Sequence, residues 1–318
     1  SVGAVMCGVA VLVYCLFGGI RASIWTDAAQ VVVMFLAMGL MLGIGVHTVG
    51  GLAAFVAALG EVSPTYLNLF PQNVGSGVVP IVLFVLGYVA GGVGIVAQPH
   101  VMIRFMTLDS ADHMKAARAY YYSTYFSFCV LTFCVGLSAR LVFPDTSLFD
   151  AELALPMMAT QLLPEVLVGL VLAGIVAASM STADSQILGC SAAFTEDIAG
   201  RNSDSIRFRR LATAFVTAIA LTISLSALDS VFALVLYAWS VLAAAFAPLI
   251  IIYALGERLT ETKALVVMVS STAVALLWRE LGLGMAVYEV APAMVFGLFI
   301  YFCVLKPFLS TSDRQVEM

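Results

Sequence analysis

The sequence predicts an all-α polytopic membrane protein, and three observations carry that reading. Of 318 residues, 62% are hydrophobic and 10% are charged, so too few polar side chains exist to cover a soluble surface. Apolar runs long enough to cross about 30 Å of hydrocarbon recur along the chain. The basic residues collect in alternate connections, as the positive-inside rule requires of a chain that crosses repeatedly. A mean hydropathy of +1.07 agrees. The net charge of −5 decides little, because orientation follows where Lys and Arg fall and not their sum.

The runs cover residues 1–18, 26–47, 79–103, 120–143, 164–190, 208–228, 230–254, 263–280 and 285–305, nine spans in all. Connections after the odd-numbered spans then share one side. Twelve of the fourteen Lys and Arg lie there, from Arg21, Arg104, Lys115 and Arg118 to Lys306 and Arg314. Only Arg140 and Arg279 lie on the other. A miscounted span would scramble this segregation, so a cytoplasmic C-terminus and an external Ser1 are expected. The link Ala227-Leu228-Asp229-Ser230 reads as a turn, since Asp229 is costly in hydrocarbon. The six cysteines lie in or beside apolar runs without metal-ligand spacing, and they read as small hydrophobes. Because Ser1 opens inside an apolar run, without an initiator Met or a basic leader, we expect a truncated chain.

Two connections have content of their own. Residues 48–78 are rich in Gly and Pro, and their apolar segment 52–59 predicts a short interfacial helix. Residues 104–118 mix Asp109, Asp112, His113, Lys115 and Arg118 and predict a solvated segment with His113 at its surface.

Chemistry enters the fifth span, where the run from Val166 to Ala178 passes without a break into Ser181, Thr182, Asp184 and Ser185. Ala178, Ser181, Thr182 and Ser185 fall at i, i+3, i+4 and i+7, so a helix sets a carbonyl and three hydroxyls on one stripe. Such a stripe can coordinate a small hard cation such as Na+ without burying bare charge. The alternative is close helix packing, with the hydroxyls bonded back to the i−4 carbonyls.

The third span carries Gly87, Gly91, Gly92 and Gly94 ahead of Gln98-Pro99-His100, a pattern that predicts a discontinuous helix with exposed carbonyls. A glycine face for packing is the other explanation. The seventh span holds Tyr237, Trp239 and Pro248, a weaker pattern for aromatic gating. Between the first and second spans, Gly18-Gly19-Ile20-Arg21 predicts a helix–loop–helix hinge, with Ser23 or Thr26 as N-cap and Asp27 favoured near a helix start. Asp27 is also placed to be a cation's waypoint at the inner mouth.

Together these stretches resemble the sodium/solute symporters. The matching motifs are Gly18-Gly19 with Arg21, Trp25, Thr26 and Asp27; Gln98-Pro99-His100 with Arg104; Ala177-Ala178 with Ser181-Thr182 and Glu196-Asp197; and Tyr237 with Trp239 and Phe246. Tyr288-Glu289 with Pro292 and Gly297 is a weaker echo. The resemblance implies a ten-helix inverted-repeat core with two peripheral helices. Residues 1–254 would hold the fourth to tenth core helices, residues 255–305 the peripheral pair, and residues 306–318 a cytoplasmic tail. Half of a Na+ site is implied at the Ala178 carbonyl and the Ser181 and Thr182 hydroxyls, with Asp27 on the sodium exit path.

Gly91, Ile95, Gln98, Pro99, Tyr237 and Trp239 become candidates for solute binding or gating. Proline-carrying members of the family have aromatic residues where this chain has Gly91 and Ile95, so a roomier pocket is expected. The implied function is a Na+-coupled symporter in the cell membrane that imports a small organic solute, an amino acid such as proline. Its partners would be solute, Na+ and lipid, with no cofactor and no nucleic acid. The alternative is a transporter-like sensor input module. No nucleophile or His–carboxylate constellation points to an enzyme.

Overall fold

A computed structural model of the chain describes residues 2–70, 74–75, 77–147, 149–199, 205–226, 230–285 and 287–306. Among these residues every regular element is helical, as hydrocarbon demands of a backbone that must satisfy its own polar groups. The long helices are α1 (Val2–Thr48), α3 (Val78–Val96), α5 (Met114–Val142), α7 (Glu165–Ala192), α8 (Ile206–Ser226), α9 (Val231–Ala254) and α10 (Glu261–Glu280). All seven are long and apolar enough to cross a membrane. Shorter ones are α2 (Leu52–Val62), α4 (Pro99–Met106), α6 (Ala154–Leu162) and α11 (Val290–Phe299), the last continuing as a π-helical turn through Leu305.

The seven long helices accommodate more than seven crossings. With 47 residues, α1 is about 70 Å of helix, more than twice the hydrocarbon thickness, and it contains both of the first two predicted spans. Gly19 divides it, with φ 55° and ψ −148°, a conformation open essentially to glycine alone. This corrects the expected hinge loop, because one residue makes the break and helix resumes at Ile20. Thr26 is therefore not an N-cap. Its hydroxyl donates back to the carbonyls of Ala22 and Ser23 at 3.0 and 2.9 Å. The break frees the Leu16 carbonyl, which accepts from Arg210 Nε at 3.2 Å.

The discontinuity in the third span falls at Ala97–Gln98, between α3 and α4, and not at the glycines. Pro99 explains it, since proline disfavours helical backbone at the residue before it and donates no N–H. The short helix expected at 52–59 is α2. Helix α5 starts at Met114, earlier than the apolar run, because Met114-Lys115-Ala116-Ala117-Arg118-Ala119 is made of strong helix formers. Just before it His113 is exposed and hydrogen-bonded to Asp109 at 2.7 Å, a contact that holds the Asp109 carboxyl below its ordinary range. The turn expected at 227–229 and the tail beyond Lys306 lie outside the described residues.

Packing divides the helices into two units. In the first, formed by α1, α2 and α5–α8, Met38, Met41, Val135, Ala139, Met158, Ala159 and Val171 form the core. Helices α1 and α7 touch through small residues: a Cβ on Gly174 would stand 2.6 Å from the Ala37 Cβ. The second unit holds α3, α4 and α9–α11. Pro248 inside α9 leaves the Ala244 carbonyl without its i+4 donor. The Ser271 hydroxyl of α10 lies 2.8 Å from that carbonyl and supplies the missing bond.

Candidate functional site

Two candidate sites arise, one in each unit. In the first unit, α7 presents the predicted stripe. Ala178, Ser181 and Ser185 are half-buried, and Thr182 is exposed. Thr182 Oγ1 donates to the Ala178 carbonyl at 3.2 Å, and Ser185 Oγ donates to the Ser181 carbonyl at 2.8 Å. These are the back-bonds of the packing alternative, and they leave two of the candidate cation ligands, Ala178 O and Thr182 Oγ1, side by side.

What the sequence did not rank is Asp184. It lies three residues after Ser181 on the same helix and has 0% exposure, with Oδ2 accepting a 3.0 Å hydrogen bond from the Tyr14 hydroxyl. Burying a carboxylate in a membrane helix is costly and marks function by default. A pattern of hydroxyls drew attention to its neighbours, whereas the rarer feature, a charge inside an apolar run, was the stronger signal.

Asp27 reaches the same neighbourhood from the other side of the Gly19 break. Asp27 and Asp184 both act electrostatically on the Tyr14 hydroxyl and the Cys15 thiol. Asp27 is 7% exposed and is the eighth residue after the break. The helix-start explanation for Asp27 is thereby corrected, because the dipole effect fades within the first turn. One turn on, Gln30 Oε1 is a buried acceptor without a hydrogen-bond partner among the described residues.

A cavity of about 370 Å³ adjoins the Gly19 break, lined by Cys15, Ser191, Thr195, Glu196, Arg209 and Arg210 among others. Its polar residues are tied to one another. Ser191 and Thr213 hydroxyls are 2.8 Å apart, and Arg209 pairs with Glu196 at 3.0 Å.

In the second unit, the α3–α4 break places Gln98 at 1% exposure, with Nε2 lacking a hydrogen-bond partner among the described residues. Pro99 starts α4, and Ile95 is half-buried on the last turn of α3. The open space expected beside Gly91 is not there. A Cβ on Gly91 would stand 2.9 Å from the ring of Tyr288, and one on Gly87 would stand 2.9 Å from the Tyr288 nitrogen. Tyr288 also stacks on Tyr88 at 5.9 Å. The glycines thus admit an aromatic ring from the segment just before α11, a contact between distant parts of the chain. On α9, Tyr237 is exposed and Trp239 half-buried.

Broken helices, a stripe of neutral oxygens and carboxylates buried at helix contacts are features that secondary transporters also have. The chain belongs to the sodium:solute symporter family, whose model matches residues 1–270. It is a multi-pass membrane protein. It is 29% identical over 303 residues to the high-affinity proline transporter PutP of Bacillus subtilis, covering 92% of this chain and 63% of that protein. With the osmoregulated proline transporter OpuE of the same organism it shares 30% over 313 residues, 93% of this chain and 62% of OpuE. The sodium/proline symporter of Escherichia coli is 28% identical over 302 residues, 91% of this chain and 58% of that protein. Among solved structures, a Na+-coupled sialic acid symporter in a substrate-bound outward-open state matches in fold with a TM-score of 0.78 at 17% identity, over 96% of this chain and 66% of its own. The chain spans less than two thirds of the length of each of these relatives.

Proposed function

We propose that the protein carrying this chain is a Na+-coupled symporter that imports a small organic solute by alternating access, with an amino acid, proline first, as the solute to test. The observation that carries this is the α7 stripe, where Thr182 Oγ1 lies 3.2 Å from the Ala178 carbonyl and Ser181 falls three residues before the fully buried Asp184. Na+ supplies the driving gradient. Ala178, Ser181 and Thr182 would give it neutral ligands, and Asp184 and Asp27 would attract it through low-dielectric surroundings where a carboxylate's field is strong. From there Asp27 would receive the ion leaving toward the cytoplasm.

Solute recognition falls to the second unit in this reading. Gln98 offers a buried amide donor that suits a carboxylate or carbonyl group, and Tyr237 and Trp239 offer aromatic faces. Residues 1–254 would supply core helices and residues 255–305 the peripheral pair. A cytoplasmic C-terminus follows from the segregation of Lys and Arg. The test is uptake of a panel of labelled amino acids, headed by proline, by the full-length protein in cells. Uptake that collapses when K+ or choline replaces Na+ supports the reading, and uptake indifferent to Na+ overturns it.

A further inference from the structure

At one end of the second unit, three helices meet through charges that neither candidate site uses. Glu289, at the start of α11, is 6% exposed. Its Oε1 accepts a 2.8 Å hydrogen bond from the Ser240 hydroxyl of α9 and lies 3.6 Å from the Arg279 guanidinium at the end of α10. That guanidinium sits 5.0 Å from the centre of the Tyr237 ring. Tyr237 and Ser240 are one turn apart on one face of α9. Arg279 and Glu289 therefore grip the same helix face at two points, one through a ring and one through a hydroxyl. The loop joining the two charges is fixed as well, with Trp278 Nε1 donating to the Val287 carbonyl at 2.9 Å.

With Glu289 buried and the Arg279 side chain 39% exposed, the pair is a poor way to gain stability, because desolvating the carboxylate offsets much of an attraction that solvent already screens. Apolar residues would pack these helices as well. What the pair adds is direction: a planar guanidinium, oriented by a carboxylate that is itself oriented by Ser240, holds the Tyr237 ring in one place. We infer that Arg279 and Glu289 are positioning residues for solute recognition, acting through Tyr237. This rests on the reading of Tyr237 as a solute-contacting residue.

The experiment measures the KM for labelled proline, or for the labelled amino acid that the panel identifies, and the half-saturating Na+ concentration in full-length protein at equal surface amount. The variants are Tyr237→Ala, Arg279→Gln, Arg279→Lys, Glu289→Gln and the Arg279→Gln/Glu289→Gln double variant. Loss of the cation over the ring should raise the solute KM about fivefold to tenfold, with the Na+ requirement unchanged. Arg279→Lys should recover part of that, and the double variant should be no worse than Arg279→Gln alone. By losing both charges together, the double variant avoids an unpaired buried carboxylate, so it covers the case in which a single variant fails to insert. If Tyr237→Ala raises the solute KM and the double variant does not, the positioning role is overturned while the Tyr237 reading stands. If Tyr237→Ala leaves the KM unchanged, both fall.

Discussion

The Tyr14 hydroxyl donates a 3.0 Å hydrogen bond to Oδ2 of Asp184, joining α1 to α7 across 170 positions of sequence. A bond to an ionised acceptor inside the bundle contributes about 1.5–3 kcal/mol. Tyr14→Phe should therefore lower the unfolding temperature in detergent while leaving the carboxylate in place. Asp184→Asn should instead raise the half-saturating Na+ concentration about tenfold, since a negative charge is lost one turn from Ser181. An Asn variant with the wild-type Na+ requirement would make the pair a helix clasp and nothing more.

Asp27 offers a contrast of charge against shape. It lies well past the first turn after the Gly19 break and is nearly buried, so neither capping nor the helix dipole accounts for it. Asp27→Asn should cut maximal uptake several-fold, as expected of losing electrostatic attraction along an ion path, while solute binding persists. Asp27→Glu, which keeps the charge, should retain more transport. Equal rates for wild type and Asn would remove Asp27 from the sodium path.

Gln98 makes a prediction of opposite signs. A buried donor without a partner costs roughly 1–3 kcal/mol, so Gln98→Leu should raise thermal stability in detergent. The same change should weaken solute affinity if the amide awaits a solute oxygen. Greater stability with unchanged affinity would leave Gln98 without a role in binding.

Gly91 is tight where the sequence suggested room. Gly91→Trp should lower expression and thermal stability, because even a Cβ there stands 2.9 Å from the Tyr288 ring and overpacking costs about 1–3 kcal/mol or more. Removing the obstacle in Gly91→Trp/Tyr288→Ala should restore much of the loss. Failure of that rescue would mean that something other than Tyr288 excludes a side chain at Gly91.

How much was legible in the sequence varied with the range of the interaction involved. The spans could be read because hydrocarbon imposes a length and excludes charge, and the α3–α4 break because Pro99 acts on its immediate neighbours. Gly18-Gly19 marked a hinge correctly, but not which glycine turns, that helix resumes at once, or that Arg210 of α8 meets the Leu16 carbonyl. The stripe of Ala178, Ser181 and Thr182 was visible as a helical period. Tyr14 and Asp184, Gly91 and Tyr288, and Arg279 and Glu289 were not, because each pairing depends on how separate segments pack and no local pattern encodes it.

Sodium coupling through α7 is tested most directly by the Na+ dependence of uptake in Thr182→Val of the full-length protein. The change keeps a β-branched shape and removes one oxygen, at about 1 kcal/mol in stability. With normal surface expression, the half-saturating Na+ concentration should rise about tenfold or more, as a lost ligand worth 1.4 kcal/mol or above requires, while the solute KM at saturating Na+ stays near wild type. A variant with the wild-type Na+ requirement would contradict the account and leave the Thr182 hydroxyl as a back-bond to Ala178.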